Sequence, residues 1–141
     1  MIPERLVRLI EKQTGDIHTV DKASVTEALN RLDIPVNSEF AAFFLRYQVT
    51  FYESNSSYIE LSNLGGPSHE IEMATGFIHE VWELPENFIC LTGVQGEGCY
   101  VYDKHSGEVV DFDLAQRDAF LAGETALRWK SFFAFLTWYL S

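Results

Sequence analysis

The sequence predicts an α+β fold: a single domain with a central, mostly antiparallel sheet flanked by N-terminal helices and a C-terminal helix. Three observations predict it. Apolar residues recur at spacings of three and four through residues 6–47, the period of one helix face. Residues 88–112 alternate short β-prone runs with turn residues, which is how an antiparallel meander is written. The last eleven residues are almost wholly apolar after Ser131, as expected of a buried closing helix.

The elements follow in order. Pro3 suits a first helical turn, Leu6, Leu9 and Ile10 make the apolar stripe, and Gly15 is the expected stop. Asp21 or Ser24 caps a second helix carrying Val25, Ala28, Leu29 and Leu32, and Pro35 breaks it. Asn37 or Ser38 starts a third helix, whose aromatic face is Phe40, Phe43, Phe44 and Tyr47. Residues 49–62 read as two strands or irregular edges around ESNSS. After the Leu64-Gly65-Gly66-Pro67 break, Ser68 caps a short helix through Met73 or Ala74, or opens a loop. Phe77 to Trp82, following Gly76, lean towards a strand. Phe88–Thr92, Cys99–Tyr102 and Glu108–Phe112 are the meander strands, with Gly93, Gly96 and Gly98 in turns and Gly107 supplying a positive φ. Ser131 caps the last helix, which buries Phe132, Phe133, Phe135, Leu136, Tyr139 and Leu140. The domain is expected to span residues 1–141.

Charge is the most one-sided feature. Ten basic residues face twenty-one acidic ones, for a formal net charge of -11. Between Arg46 and Lys104 there is no lysine or arginine, and the same stretch holds Glu53, Glu60, Glu70, Glu72, Glu80, Glu83, Glu86, Glu97 and Asp103. Its aromatic and β-branched content marks folded protein rather than an acidic tail. Such a surface repels phosphate and anionic lipid and attracts basic partners. Direct nucleic-acid and membrane binding are therefore not expected. The opening MIPERLVRLIEK has charges among its apolar residues, unlike a signal peptide. The two cysteines, Cys90 and Cys99, fit thiols in a reducing cytoplasm, with a hairpin crosslink as the alternative.

Catalytic and metal motifs are sparse. GVQGEG has its glycines in the wrong order for a dinucleotide loop and no following lysine. His18, His69, His79 and His105 form no HxxxH or HExxH pattern. Asp103, His105 and Ser106 crowd one turn with no nucleophile elbow. Neither a cofactor nor a metal is expected. Glu70 with Glu72, and Asp111 with Asp113, are the only carboxylate pairs that support acid–base work, and they carry a hydrolase alternative.

The order of motifs resembles the SUKH superfamily, the Smi1/Knr4-like domains, and within it the SUKH-4-like branch. The carrying residues are Ile34-Pro35…Phe40…Phe44…Tyr47; Leu84-Pro85-Glu86-Asn87-Phe88 with Gly93, Gly96 and Gly98; Tyr102-Asp103…Ser106-Gly107-Glu108-Val109; and Ser131-Phe132…Phe135-Leu136. The resemblance is strongest over residues 25–140. The chain departs from the pattern at Gln48, where many members have glycine, and at Lys130, where a small residue is common. The resemblance implies an α+β binding module without catalytic residues. Many members are bacterial immunity proteins that bind and neutralise toxins, often nucleases; others are regulatory or scaffold proteins. Pro35, Phe44, Gly98, Asp103, Gly107 and Phe135 carry over as fold-defining positions. Together with the acidic surface, the resemblance makes a basic toxin domain the expected partner. The expected contacts are the exposed members of Glu70, Glu72, Glu80, Glu83, Glu86, Glu97, Asp103 and Glu108, with Tyr58 or Trp82 as aromatic anchors.

Overall fold

The computed structural model describes residues 1–94, 96–124 and 128–141; Gln95 of the GVQGEG segment lies outside them. In chain order the elements are α1 (Glu4–Glu11), β1 (Ile17–His18), α2 (Lys22–Arg31), α3 (Glu39–Phe44), β2 (Gln48–Val49), α4 (Glu70–Glu80), β3 (Phe88–Cys90), β4 (Gly98–Asp103), β5 (Val109–Asp113), α5 (Arg117–Leu121), β6 (Arg128–Trp129) and α6 (Phe132–Leu140). A 3₁₀ turn, Leu114–Gln116, leads into α5.

The main sheet has four strands in the order β3-β4-β5-β6, all antiparallel. The expected meander is its body. Asp103 to Gly107 form the β4–β5 turn, closed by Gly107 N–H donating to the Asp103 carbonyl at 2.7 Å, with Gly107 at φ +83. Gly98 opens β4 rather than making a turn. A second, two-stranded sheet pairs β1 with β2.

Side chains alternate across the main sheet, as period-2 strands require. Ile89, Tyr100, Tyr102 and Val109 point to one face and join the larger core cluster with α1, α2, α3 and α6. Cys90, Cys99, Val101, Val110 and Phe112 point to the other and meet Ala74, Ile78 and Trp82 of the α4 region and Phe120 of α5. The closing helix behaves as its composition requires. The Ser131 hydroxyl accepts from Ala134 N–H at 3.1 Å, and all six of its expected apolar residues are buried. Phe132 rests edge-on to Tyr102, with ring centres 5.7 Å apart, and Phe135 lies 5.1 Å from Tyr100.

The open choices of cap resolve by hydrogen bonding. Asp21 caps α2, accepting from Ser24 N–H, and Ser24 instead accepts from Gly66 N–H at 2.9 Å. Ser38 caps α3, accepting from Ala41 N–H. Three further sequence expectations are corrected. Ser68 does not cap the helix after the Gly65-Gly66-Pro67 break; His69 is the N-cap, and the helix runs to Glu80 rather than ending at Met73 or Ala74. Gly15 does not end α1, which stops at Glu11 with Lys12 as its C-cap. It lies against the backbone of Phe51, where a Cβ would come within 2.3 Å of the carbonyl oxygen; the glycine is there for a close approach. Residues 77–80 are not a strand but the second half of α4, with Val81 as C-cap. The buried set Ile71, Ala74, Thr75 and Ile78 has the i, i+3, i+4, i+7 spacing of one helix face. That period runs straight through Gly76, so reading the segment from the glycine onward hides it.

Residues 51–62 are mostly irregular and are pinned by side chains. Tyr139 Oη donates to the Ile59 carbonyl, Ser54 Oγ donates to the Tyr139 carbonyl, and Leu61 forms a single bridge with Thr92. Cys90 and Cys99 are both unlinked and buried. The Cys90 thiol donates to the Thr92 carbonyl at 3.0 Å. Contact with Cys90, and then burial, push the Cys99 thiol up. Among the described residues, no helix is long and apolar enough to cross a membrane.

Candidate functional site

The acidic residues divide into two populations. One is tied into the fold. Glu72, in the first turn of α4, receives a two-pronged bond from Arg31: Nε to Oε2 at 2.7 Å and Nη2 to Oε1 at 2.8 Å. Arg31 holds the Glu72 carboxyl below its ordinary value, against the opposing effect of partial burial, with His69 adding to the stabilisation. Asp103 builds the β4–β5 turn. Its Oδ1 accepts from the Asn87 amide at 3.0 Å and from His105 N–H at 2.9 Å. Burial alone would raise the Asp103 carboxyl; the bonds from Asn87, His105 and Ser106 outweigh it and hold the group low. Glu108 faces Arg128 at 3.4 Å across the same turn region. Glu83 lies 4.0 Å from Arg117, whose guanidinium also donates to the Trp82 and Glu83 carbonyls.

The other population has no basic partner among the described residues. Glu70, Glu80, Glu97, Asp111 and Asp113 are exposed and belong to no ion pair there. Glu70 accepts one bond, from Asn63 N–H at 3.3 Å, and Asp113 caps the following turn through Ala115 N–H. Asp111 and Asp113 lie on the same side of β5, two residues apart. Together with Glu97 and Tyr58 they line a groove of ≈ 390 Å³ at the end of the sheet. Partial burial, and then the neighbouring charge of Asp113, raise the Asp111 carboxyl. Glu86 lines a separate groove with Arg31, Glu72, His79 and Lys104.

A second groove adjoins the acidic one. It is lined by Glu70, Met73, Phe77 and Val94, together with Gly93 and Gly96, and has a volume of ≈ 580 Å³. Gly93 and Gly96 line both grooves, so the two adjoin at these residues. The apolar wall comes from α4. That helix buries Ile71, Ala74 and Ile78 and turns Met73, Phe77 and Val81 outward, with 71%, 37% and 59% exposure. Residues four apart stack along one side of a helix, so these three make a continuous bare apolar stripe. Among the described residues, neither groove is lined by a lysine or arginine.

The aromatic anchors part company here. Tyr58 is 98% exposed and stands in the acidic groove. Trp82 is 6% exposed; its ring meets Phe112 and Phe77, each at 5.5 Å between centres. Trp82 is thus a core residue and unavailable as a contact, because the chain turns inward after Val81. Of the ten expected contacts, the structure gathers Glu70, Glu97 and Tyr58 around the paired grooves. It places Glu80, Glu83 and Glu86 elsewhere on the surface and commits Glu72, Asp103 and Glu108 to internal bonds.

The carboxylates of the hydrolase alternative are divided among three grooves: Asp111 with Asp113, Glu70 beside Met73, and Glu72 against Arg31. Glu70 and Glu72 sit on a helix, where residues two apart diverge. Sequence reasoning missed Met73, Phe77, Val81 and Val94. The i, i+4, i+8 spacing of the first three was visible, but only to a reading that carries one helix across Gly76.

A scan of family models finds none that matches this chain, and a search of curated proteins likewise finds no match.

Proposed function

We propose that this chain is a non-enzymatic protein-binding domain: a cytoplasmic immunity protein that captures and neutralises a basic toxin domain, with a nuclease as the fitting class. The observation that carries the reading is the set of exposed carboxylates, unpaired among the described residues, around two grooves whose described lining holds no lysine or arginine. The resemblance to SUKH domains supports the binding role. A nuclease presents cationic groups to its phosphate substrate. An acidic protein seated on those groups excludes the substrate and is steered to them over a distance set by ionic strength.

Two measurements test the reading. Co-expression with toxins encoded beside the gene should restore growth, with inhibition reproduced by purified proteins. The association rate should fall steeply between about 50 and 500 mM salt as screening shortens the field, and Glu80→Lys with Glu97→Lys should slow it further. A rate indifferent to salt and to both reversals refutes charge steering. Failure to protect against every neighbouring toxin refutes the immunity role and leaves a regulatory or scaffold protein of the Smi1/Knr4 type as the reading to pursue. The hydrolase alternative draws on Asp111, raised by burial and by its neighbour Asp113; a turnover lost in Asp111→Asn would establish it.

A further inference from the structure

A folded domain rarely leaves a run of large apolar side chains in water without a use. Met73, Phe77 and Val81 form such a run on α4, and Val94 lines the same groove as Met73 and Phe77. The charge around it has one sign. Glu70 lies in the groove itself. In the adjoining groove, past Gly93 and Gly96, stand Glu97, Asp111 and Asp113, with the exposed ring of Tyr58 among them. None of these four carboxylates has a cationic neighbour among the described residues, in contrast to Glu72 with Arg31 or Glu108 with Arg128. A second copy of this acidic chain would bring more negative charge to the face. A basic partner would supply the missing countercharge.

We infer that the groove between α4 and the β3–β4 loop is the docking surface for a basic, amphipathic segment of a partner protein. An apolar side chain of that segment sits on Met73, Phe77 and Val94. Lysine or arginine side chains flanking it reach Glu70 on one side and Glu97, Asp111 and Asp113 in the adjoining groove. The inference rests on the binding role proposed above and adds its location and chemistry. It assigns the steering charges outside the groove, such as Glu80, to the encounter, and the apolar stripe to the bound state.

The test uses the intact ¹⁵N-labelled protein and three synthetic helical peptides of equal length: Lys/Leu amphipathic, Lys/Ser and Glu/Leu. The Lys/Leu peptide should shift the amides of Met73, Phe77, Val94, Glu97 and Asp111 together. The Lys/Ser peptide should bind at least about tenfold more weakly, and the Glu/Leu peptide not at all. Met73→Asp, at a side chain already in solvent, and the Asp111→Asn/Asp113→Asn pair should each weaken Lys/Leu binding by about tenfold or more, the size of a strong interface contact. Circular dichroism confirms that each variant is folded. Shifts confined to another face, equal binding of Lys/Leu and Lys/Ser, or binding of Glu/Leu each overturn the inference. So does self-association through the stripe in sedimentation. Growth protection separates this surface from the broader role. If wild-type protein protects and these variants protect equally, the surface is wrong and the immunity reading stands. If wild-type protein protects against nothing while the peptide maps to the groove, the surface stands and the immunity reading falls.

Discussion

The two faces of the main sheet solve the same burial problem differently. One face is covered by α1, α2, α3 and α6, and its cluster holds Phe40, Phe43, Phe44, Phe132 and Phe135 among others. The other is covered by α4 and α5 alone, over a smaller cluster around Val101, Phe112 and Trp82. The heavily covered face buries six large side chains of α6 and leaves Trp138 partly covered. The lightly covered one leaves α4 with a second, outward apolar stripe. A helix packed on one side only can present its other side to a partner; Glu70 lies beside that stripe, while Asp111 and Asp113 stand on the opposite face of the sheet, in the adjoining groove.

Breaking the comparison begins with the larger cluster. Truncation before Ser131 should abolish cooperative unfolding in urea, since six buried side chains leave together. Phe135→Ala should cost about 3–5 kcal/mol in the same measurement, because its ring is fully enclosed and a cavity there has no route to collapse. A loss below about 1 kcal/mol would show that α6 is not the main cover of that face. Ile78→Ala, in the smaller cluster, should cost less, about 2–3 kcal/mol, because nearby Phe77 is partly exposed and can settle inward.

The two carboxylate populations give the smallest and most diagnostic effects, with opposite signs. Glu72 is held low, first by its bond to Arg31. Its contribution to stability is therefore present above the unfolded value of about 4.3 and is lost as pH falls through the lower folded value. Glu72→Gln should lower the melting temperature at pH 7, and this loss should shrink as pH falls below the unfolded value. Asp111 is raised, first by burial and then by Asp113. Its charge disfavours the fold above that raised value, and protonation relieves the penalty. Asp111→Asn should raise the melting temperature at pH 7 and leave it unchanged near pH 3. Thermal unfolding of both variants across this range checks the pair. Parallel rather than opposite shifts would mean that Asp111 has found a cation in solution, and the proposed docking surface would lose its vacant charge.

Much of this fold was written locally. The meander needed only short β-prone runs separated by Asp103–Gly107 and the loop glycines. Helix α6 needed only Ser131 and a run too apolar to stay in water. Helix starts at Asp21 and Ser38 were among the caps the residues offered, because a short polar side chain can bond the free N–H groups of the first turn wherever the chain places it. The SUKH resemblance rested on the same local motifs. The proposed docking surface was less legible. Glu97 and Tyr58 stood out as acidic and aromatic residues, but nothing local joined them to Met73 and Phe77 some twenty residues away. Trp82 read as an anchor by type and became core by position.

The sequence by itself determined the strand and helix periods, most of the core-facing positions and the one-signed charge between Arg46 and Lys104. These depend on nearest neighbours and on composition. Only the tertiary structure decided which carboxylates would be neutralised. Arg31 meets Glu72 across 41 residues, and Arg128 meets Glu108 across 20. Such pairings depend on which helix crosses which strand, and no spacing along the chain encodes that. The same packing decided that α4 would cover the sheet with Ile71, Ala74 and Ile78 and leave Met73, Phe77 and Val81 outside. A helix with apolar residues on two sides can bury only the one that meets the sheet.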